Sequence, residues 1–314
     1  MSFPGISLAR RVQVLAEALP YIQSFHGRTF VITYGGNAMT SRELKAAFAS
    51  DVALLRLVGM SPIVVHGGEA QITDLLDKMG VKSVFHRGMR VTDDETMKVV
   101  KMVLGELNQE IVGLINQHGG KAVGLSGQDG HFIHARKMVL PPEPDETADL
   151  DLGLVGDIER IDPGVLHLLR SGDFIPVVSP IGVGAEGEAY NIDADAVAVN
   201  LAQTLRAEKL ILMTDTPGLI DTRGRLITGL TASEIEKLLA EGAIRGGILP
   251  QLISALEAIK NGVRAAHIID GRVPNALLLE VLTSEGVGTA IRSDAGPHFL
   301  ADTRRYFSDS APAT

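Results

Sequence analysis

Cysteine is absent from the 314 residues, which excludes disulfides, a thiolate nucleophile and cysteine-ligated zinc, and fits a reducing compartment such as the cytoplasm. Tryptophan is absent too and aromatics make up 4% of the chain, so stacking platforms for nucleic-acid bases are not expected. Positive charge is in deficit: 29 Lys and Arg against 38 Asp and Glu give a formal net charge of −9, the wrong balance for a polyanion partner. No apolar run approaches the roughly 20 residues a membrane span requires, and no basic flank precedes an apolar core near Met1. Neither a transmembrane helix nor a signal peptide is expected. The chain reads as a cytoplasmic α/β protein without nucleic-acid or membrane partners, long enough for one large domain or two lobes and a sizeable core.

What is present is organised around Phe30 to Met39. The β-branched run Val31-Ile32-Thr33 breaks into Gly35-Gly36, and Thr40-x-x-Glu43 reads as a capping box opening a helix from Ser41 to about Val58. Strand, loop and helix in that order offer backbone N–H groups to an anion at a helix N-terminus; a tight turn needing glycine for its dihedrals is the alternative. The pattern recurs at Pro62 to Glu69, where a second strand ends in His66-Gly67-Gly68 and feeds a helix stopping near Gly80. Two such units predict adjacent parallel strands whose C-terminal ends share one crevice. His66 at that strand end reads as a satisfied structural histidine.

Upstream, Leu8, Val12, Leu15, Leu19 and Ile22 form one helical stripe, to be buried on the chain's own core or on a neighbouring subunit. Arg90 stands before a second apparent box, Thr92-x-x-Glu95, and suits a bidentate carboxylate clamp. Lys121 to Leu125 reads as a strand. Gly130 to Ile161 reads as β-ribbon and loop, with a mobile stretch from Pro141 to Asp151. Phe174 to Ser179 and Lys209 to Thr214 are further strands, Asp193 and Asp195 lead into an Ala/Val-rich helix, and Thr231-x-x-Glu234 caps another. Gly246-Gly247 precedes a helix start at Pro250-Gln251. Ala265 to Ile269 and Thr289 to Arg292 complete an alternation that predicts an α/β/α sandwich around a mainly parallel sheet.

These motifs, in this order, resemble the acetylglutamate kinases of the amino acid kinase family from about residue 8 to Arg292. The matching stretches are Tyr34-Gly35-Gly36-Asn37-Ala38-Met39, Val65-His66-Gly67-Gly68, Gly88-Met89-Arg90-Val91-Thr92, Gly124-Leu125-Ser126-Gly127, Leu152-Gly153-Leu154-Val155-Gly156, Ala189-Tyr190-Asn191-Ile192, Ala194-Asp195, Thr214-Asp215 and Gly246-Gly247. The resemblance implies an N-terminal helix over 1–27, an N-lobe over 28–190 for N-acetyl-L-glutamate and a C-lobe over 191–314 for MgATP. It implies substrate contacts from Gly67, Gly68, Arg90 and Asn191, and nucleotide contacts from Gly35, Gly36, Thr214, Asp215, Leu219, Gly246 and Gly247. The added N-terminal helix is similar to that of arginine-inhibited hexameric members. It implies a homo-oligomer, dimer or hexamer, joined through these helices, and an effector pocket of Tyr21, Lys209, His267, Glu280 and Gly286.

The departures fall in the catalytic motifs. The family pattern has lysine where this chain has Thr33 and Gln251, glycine where it has Glu69, and asparagine where it has Asp193. Phosphoryl transfer to a carboxylate gathers anions, and its catalysis is almost wholly positioning and cationic stabilisation. Losing one such donor costs roughly 100- to 1000-fold in rate, and a carboxylate about 4 Å from the phosphoryl path adds about 4 kcal/mol of repulsion at an effective dielectric near 20. The expectation is therefore a kinase homologue whose altered site (Thr33, Glu69, Asp193, Asp195 and Gln251) serves acid–base chemistry, a metal or a cationic ligand. Three alternatives stay open: Asp193 and Asp195 as helix-start residues with Glu69 in solvent, a non-catalytic regulatory binder, and a slow but genuine kinase.

Overall fold

The computed structural model describes residues 7–142, 150–244, 246–284 and 286–294; the centre of the stretch expected to be mobile, and the C-terminus, lie outside these. The first half runs α1 (Leu8–Phe25), β1 (Thr29–Tyr34), α2 (Arg42–Leu57), β2 (Ser61–His66), α3 (Glu69–Lys78), a short hairpin of β3 (Phe85–His86) and β4 (Met89–Arg90), and α4 (Asp94–Gln117). Then come β5 (Ala122–Ser126), the ribbon β6 (Ile133–Leu140) and β7 (Leu150–Ile161), α5 (Gly164–Ser171), β8 (Ile175–Ser179), β9 (Ile181–Val183) and β10 (Ala189–Asn191). The rest is α6 (Ala194–Thr204), β11 (Lys209–Thr214), β12 (Gly229–Thr231), α7 (Ala232–Ala240), α8 (Leu249–Lys260), β13 (Ala265–Asp270), α9 (Ala276–Leu282) and β14 (Thr289–Arg292).

One eight-stranded sheet, ordered β12-β14-β13-β11-β1-β2-β8-β5, crosses the molecule. All its pairings are parallel except β13 with β14. Buried on both faces, its strands read as continuous apolar runs, as parallel sheets do. The two-residue period still separates the faces: Phe30, Ile32 and Tyr34 join one core layer, while Val31, with Ile63, Val65, Leu210 and Leu212 from its neighbours, joins the other. A small closed sheet of β10, β7, β6 and β9 packs beside the large one, so the expected β-ribbon is present. Among the described residues no helix is long and apolar enough to cross a membrane.

Helix starts follow local backbone geometry rather than the first box-like pattern. Gly35-Gly36 leads into a 3-10 turn, Gly36–Met39, and not directly into a helix N-terminus. The cap of α2 is Ser41, extended at φ −93°, ψ 134°, whose hydroxyl accepts from Leu44 N; Thr40 is one residue too early. At α4 the cap is Asp93, accepting from Thr96 N at 2.8 Å, because Thr92 is held in a bridge to Gly153. The box at Thr231 and Glu234 is reciprocal as expected.

The α1 stripe is mostly exposed on its own chain, with Ile22 half-buried. Val12, Leu15 and Leu19 are 67%, 74% and 50% exposed, while Tyr21 and Phe25 reach the core; the side chain of Leu8 lies outside the described residues.

Candidate active site

The chain leaves β1 toward β2 on one side, and β11 returns on the other. Their C-terminal ends diverge at this switch point, and a crevice of ≈ 990 Å³ opens there. Thr33, Gly35 and Gly36 line it from β1, Gly67, Gly68 and Glu69 from the β2–α3 junction, and Arg90 from β4. Asn191, Asp193 and Asp195 enter from β10 and α6, Thr214 and Asp215 from β11, and Gly247 and Gln251 from the start of α8. Two expected nucleotide contacts are not part of the lining. Leu219 is buried in the core, its N–H donating to Thr289 Oγ1 at 2.8 Å. Gly246 turns at φ +93° one residue before the lining begins.

Asp195 is the chemical centre of the C-terminal side. It sits in the first turn of α6, and its carboxyl is hydrogen-bonded by Thr33 and Gln251. Thr33 Oγ1 accepts from Met213 N at 3.2 Å, so its own proton is available to Asp195. Burial, and then the nearby Asp193 charge, push the Asp195 carboxyl up from 3.8 to about 6, against the pull of those two hydrogen bonds. The two positions where the resemblance implies lysine thus converge on one carboxyl, each with a neutral group. Asp193 caps α6, accepting from Ala196 N at 2.9 Å, and Glu69 is the exposed first residue of α3. The helix-start reading of these acids therefore describes all three, and Asp195 is in addition the first-turn carboxyl that faces Thr33 and Gln251.

The opposite side holds Arg90, 6% exposed. Its guanidinium lies 4.6 Å over the Phe85 ring and donates to Thr73 Oγ1 at 2.7 Å and to Ser83 Oγ. Burial pulls its pKa below the ordinary value, yet an arginine stays charged at neutral pH. Asn191 donates to Thr92 Oγ1 at 3.4 Å. Sequence reading missed Thr73 and Ser83, which aim Arg90; Thr73 stands four residues after Glu69 on one α3 face, and nothing in its neighbours marks it. Among the described residues the lining carries Glu69, Asp74, Asp77, Asp193, Asp195 and Asp215 against Arg90 as its sole cation. At the glycine pair, a Cβ on Gly36 would lie 2.9 Å from both Asp215 carboxylate oxygens, so a carboxylate already packs against the loop read as an anion cradle. No group of three or more His, Asp or Glu that could hold a metal occurs among the described residues.

A second cavity of ≈ 130 Å³ gathers Tyr21, Lys209, His267, Glu280 and Gly286, all five residues expected in an effector pocket. Lys209 Nζ donates to His267 Nε2 at 2.8 Å, which leaves the His267 proton on Nδ1, donated to Glu280 Oε1 at 2.5 Å. The other Glu280 oxygen accepts from Val287 N and Gly288 N. Burial lowers His267 to about 4 and Lys209 to about 8.

Comparison with known proteins agrees with this architecture. The sequence profile of the Amino acid kinase family matches residues 28–270. The acetylglutamate kinase of Chromobacterium violaceum is 63% identical over 91% of this chain and 98% of its own length. That of Nitrosomonas eutropha is 59% identical over 92% and 99%. Among solved structures, the N-acetylglutamate synthase of Neisseria gonorrhoeae, complexed with coenzyme A and N-acetyl-glutamate, superposes with a TM-score of 0.80 at 26% identity, over 92% of this chain and 64% of that one. Carbamate kinase of Giardia lamblia shares the fold at a TM-score of 0.63 and 18% identity, over 85% of this chain and 99% of that one. With a match over nearly the whole length of these relatives, a shared fold and a crevice at the expected strand ends, the chain belongs to the amino acid kinase family, on its acetylglutamate kinase branch.

Proposed function

We propose that the crevice binds an N-acetyl-L-glutamate-like ligand through Arg90, Asn191 and the Gly67-Gly68 backbone, and that phosphoryl transfer at ordinary kinase rates is not its reaction. The ligand side keeps what a carboxylate needs: a buried, pre-aimed guanidinium and backbone donors beside it. MgATP enters this reading through the relatives' names. Gly35 and Gly36 from the N-lobe and Thr214, Asp215 and Gly247 from the C-lobe are the residues that would face it. The chemistry there does not complement a triphosphate. The observation that carries the proposal is that Thr33 and Gln251 both spend their side chains on Asp195, where the family pattern has ammonium groups. An Asp195 carboxyl that exchanges its proton near neutral pH is suited to acid–base work on the bound ligand instead. The ≈ 130 Å³ cavity is the matching candidate for an arginine-like effector, and the exposed α1 stripe for a subunit contact.

A genuine kinase is the second reading, favoured by 63% identity to an acetylglutamate kinase across 98% of that protein. One experiment separates the two. The purified chain is given ATP, Mg²⁺ and N-acetyl-L-glutamate, acyl phosphate is trapped with hydroxylamine, and the Chromobacterium violaceum enzyme is run beside it. The proposal expects a rate at least about 100-fold below that enzyme, together with calorimetric binding of N-acetyl-L-glutamate. A rate within about tenfold of it establishes the kinase reading, and no binding removes the ligand assignment.

A further inference from the structure

His66 is fully buried at the end of β2, directly before the two glycines that line the crevice, and it does not itself line it. Its Nδ1 lies 2.9 Å from the carbonyl oxygen of Gly67. A carbonyl can only accept, so the proton is on Nδ1 and the bond is a donation to Gly67. Nε2 is then an acceptor, and its surroundings agree. Asn108 Nδ2 is 3.1 Å away and Ser179 Oγ 3.0 Å, and both can donate. Asn108 is fixed in turn by donation to Val177 O at 2.9 Å, and it comes so close to Gly124 that a Cβ there would lie 1.8 Å from Asn108 Oδ1. The tautomer is thus determined from both ends of the ring. Burial lowers the His66 pKa to about 4, so the ring stays neutral through the physiological range.

The consequence lies in the next peptide. Gly67 N–H donates to Tyr34 O at 2.9 Å, and its C=O is taken by His66, so both polar groups of Gly67 are committed. In a planar trans peptide the following N–H points opposite to the C=O, which turns Gly68 N–H away from the ring and toward the crevice. No described residue accepts from it, and Gly68 caps α3 without a side-chain hydrogen bond. Two consecutive glycines have no Cβ to resist a peptide flip; the imidazole supplies the restraint. An apolar residue would fill the same buried space but could not hold the carbonyl.

We propose that His66 is a positioning residue for the crevice: its Nδ1–H holds the Gly67 carbonyl and so keeps the Gly68 N–H directed at the bound carboxylate ligand. This rests on the ligand assignment above, and the test is chosen to separate the two. The amide of asparagine can occupy the place of Nδ1, and that of glutamine the place of Nε2. His66→Asn therefore preserves the donation to Gly67 and loses the contacts to Asn108 and Ser179, whereas His66→Gln does the reverse. In protein labelled with 15N-glycine, the Gly68 amide resonance keeps its position in His66→Asn and moves in His66→Gln. N-acetyl-L-glutamate, titrated calorimetrically, binds His66→Asn within about threefold of the parent and His66→Gln at least about tenfold more weakly. The opposite order in either measurement overturns the proposal and makes His66 a packing residue. If the parent chain binds no N-acetyl-L-glutamate, the ligand assignment fails and the Gly68 resonance alone decides the peptide's orientation. Should His66→Gln not fold, the imidazole 15N shifts of the parent decide: a proton on Nε2 overturns the proposal.

Discussion

Thr33 and Gln251 act on one carboxyl, so their effects are coupled. A lysine at either position would bring an ammonium to Asp195 and shift that carboxyl into its ionised form. A single ammonium beside a buried carboxylate is neutralised by it and has little charge left for a phosphoryl group; two leave a surplus. Thr33→Lys and Gln251→Lys, each combined with Glu69→Gly, are therefore expected to raise hydroxamate formation by less than about tenfold, and the triple variant by at least about 100-fold. The same trapping assay measures all three. Equal gains from the two partial variants, multiplying in the triple one, would mean that Asp195 does not link the two positions.

At the scale of elements, helix stability depends on caps whose position the sequence left open by one residue. Ser, Thr and Asp all cap, and in Thr40-Ser41 and Thr92-Asp93 adjacent candidates compete; extended backbone geometry at Ser41 and Asp93 decides. Ser41→Ala is expected to lower unfolding stability in urea by about 1 kcal/mol, and Thr40→Ala by less than half of that. The reverse order would place the cap where the box pattern suggests. More of the fold was legible than this detail. The succession of strands and helices was visible in apolar runs punctuated by caps and turn residues, and the crevice in the two glycine pairs, because both are local consequences of chain geometry. The aiming of Arg90 by Thr73 and Ser83, and the meeting of Thr33, Asp195 and Gln251, were not. Thr73 and Ser83 lie 17 and 7 residues from Arg90 and meet it only because the chain turns back between α3 and β4; Thr33, Asp195 and Gln251 are far apart in the chain, and only the order of β1, α6 and α8 around the switch point brings them together. The burial of Leu219 was hidden for the same reason: its loop reads as polar, but its neighbour in space is Thr289.

For the molecule as a whole, buried titratable groups of opposite tendency set how stability responds to acid. Asp195 and Asp51 are raised from 3.8 to about 6, so between those values the native chain holds protons that the unfolded chain has released. Their contribution to stability falls as pH rises through that window. His66 and His267 are lowered from 6.5 to about 4, so across nearly the same range the unfolded chain binds the extra protons, and their contribution rises with pH. Two acids and two histidines therefore largely cancel between about pH 4 and 6. Asp195→Asn removes one member of this balance while retaining an acceptor for Thr33 and Gln251. Its stability, followed by urea unfolding from pH 4.5 to 6.5, is expected to climb with pH more steeply than the parent's, by up to about 1.4 kcal/mol per pH unit. An unchanged slope would show that Asp195 is ionised in the native protein throughout that range. A permanently ionised carboxylate could accept a proton from a ligand but would have none to give, and the acid half of the proposed chemistry would have to come from elsewhere in the crevice.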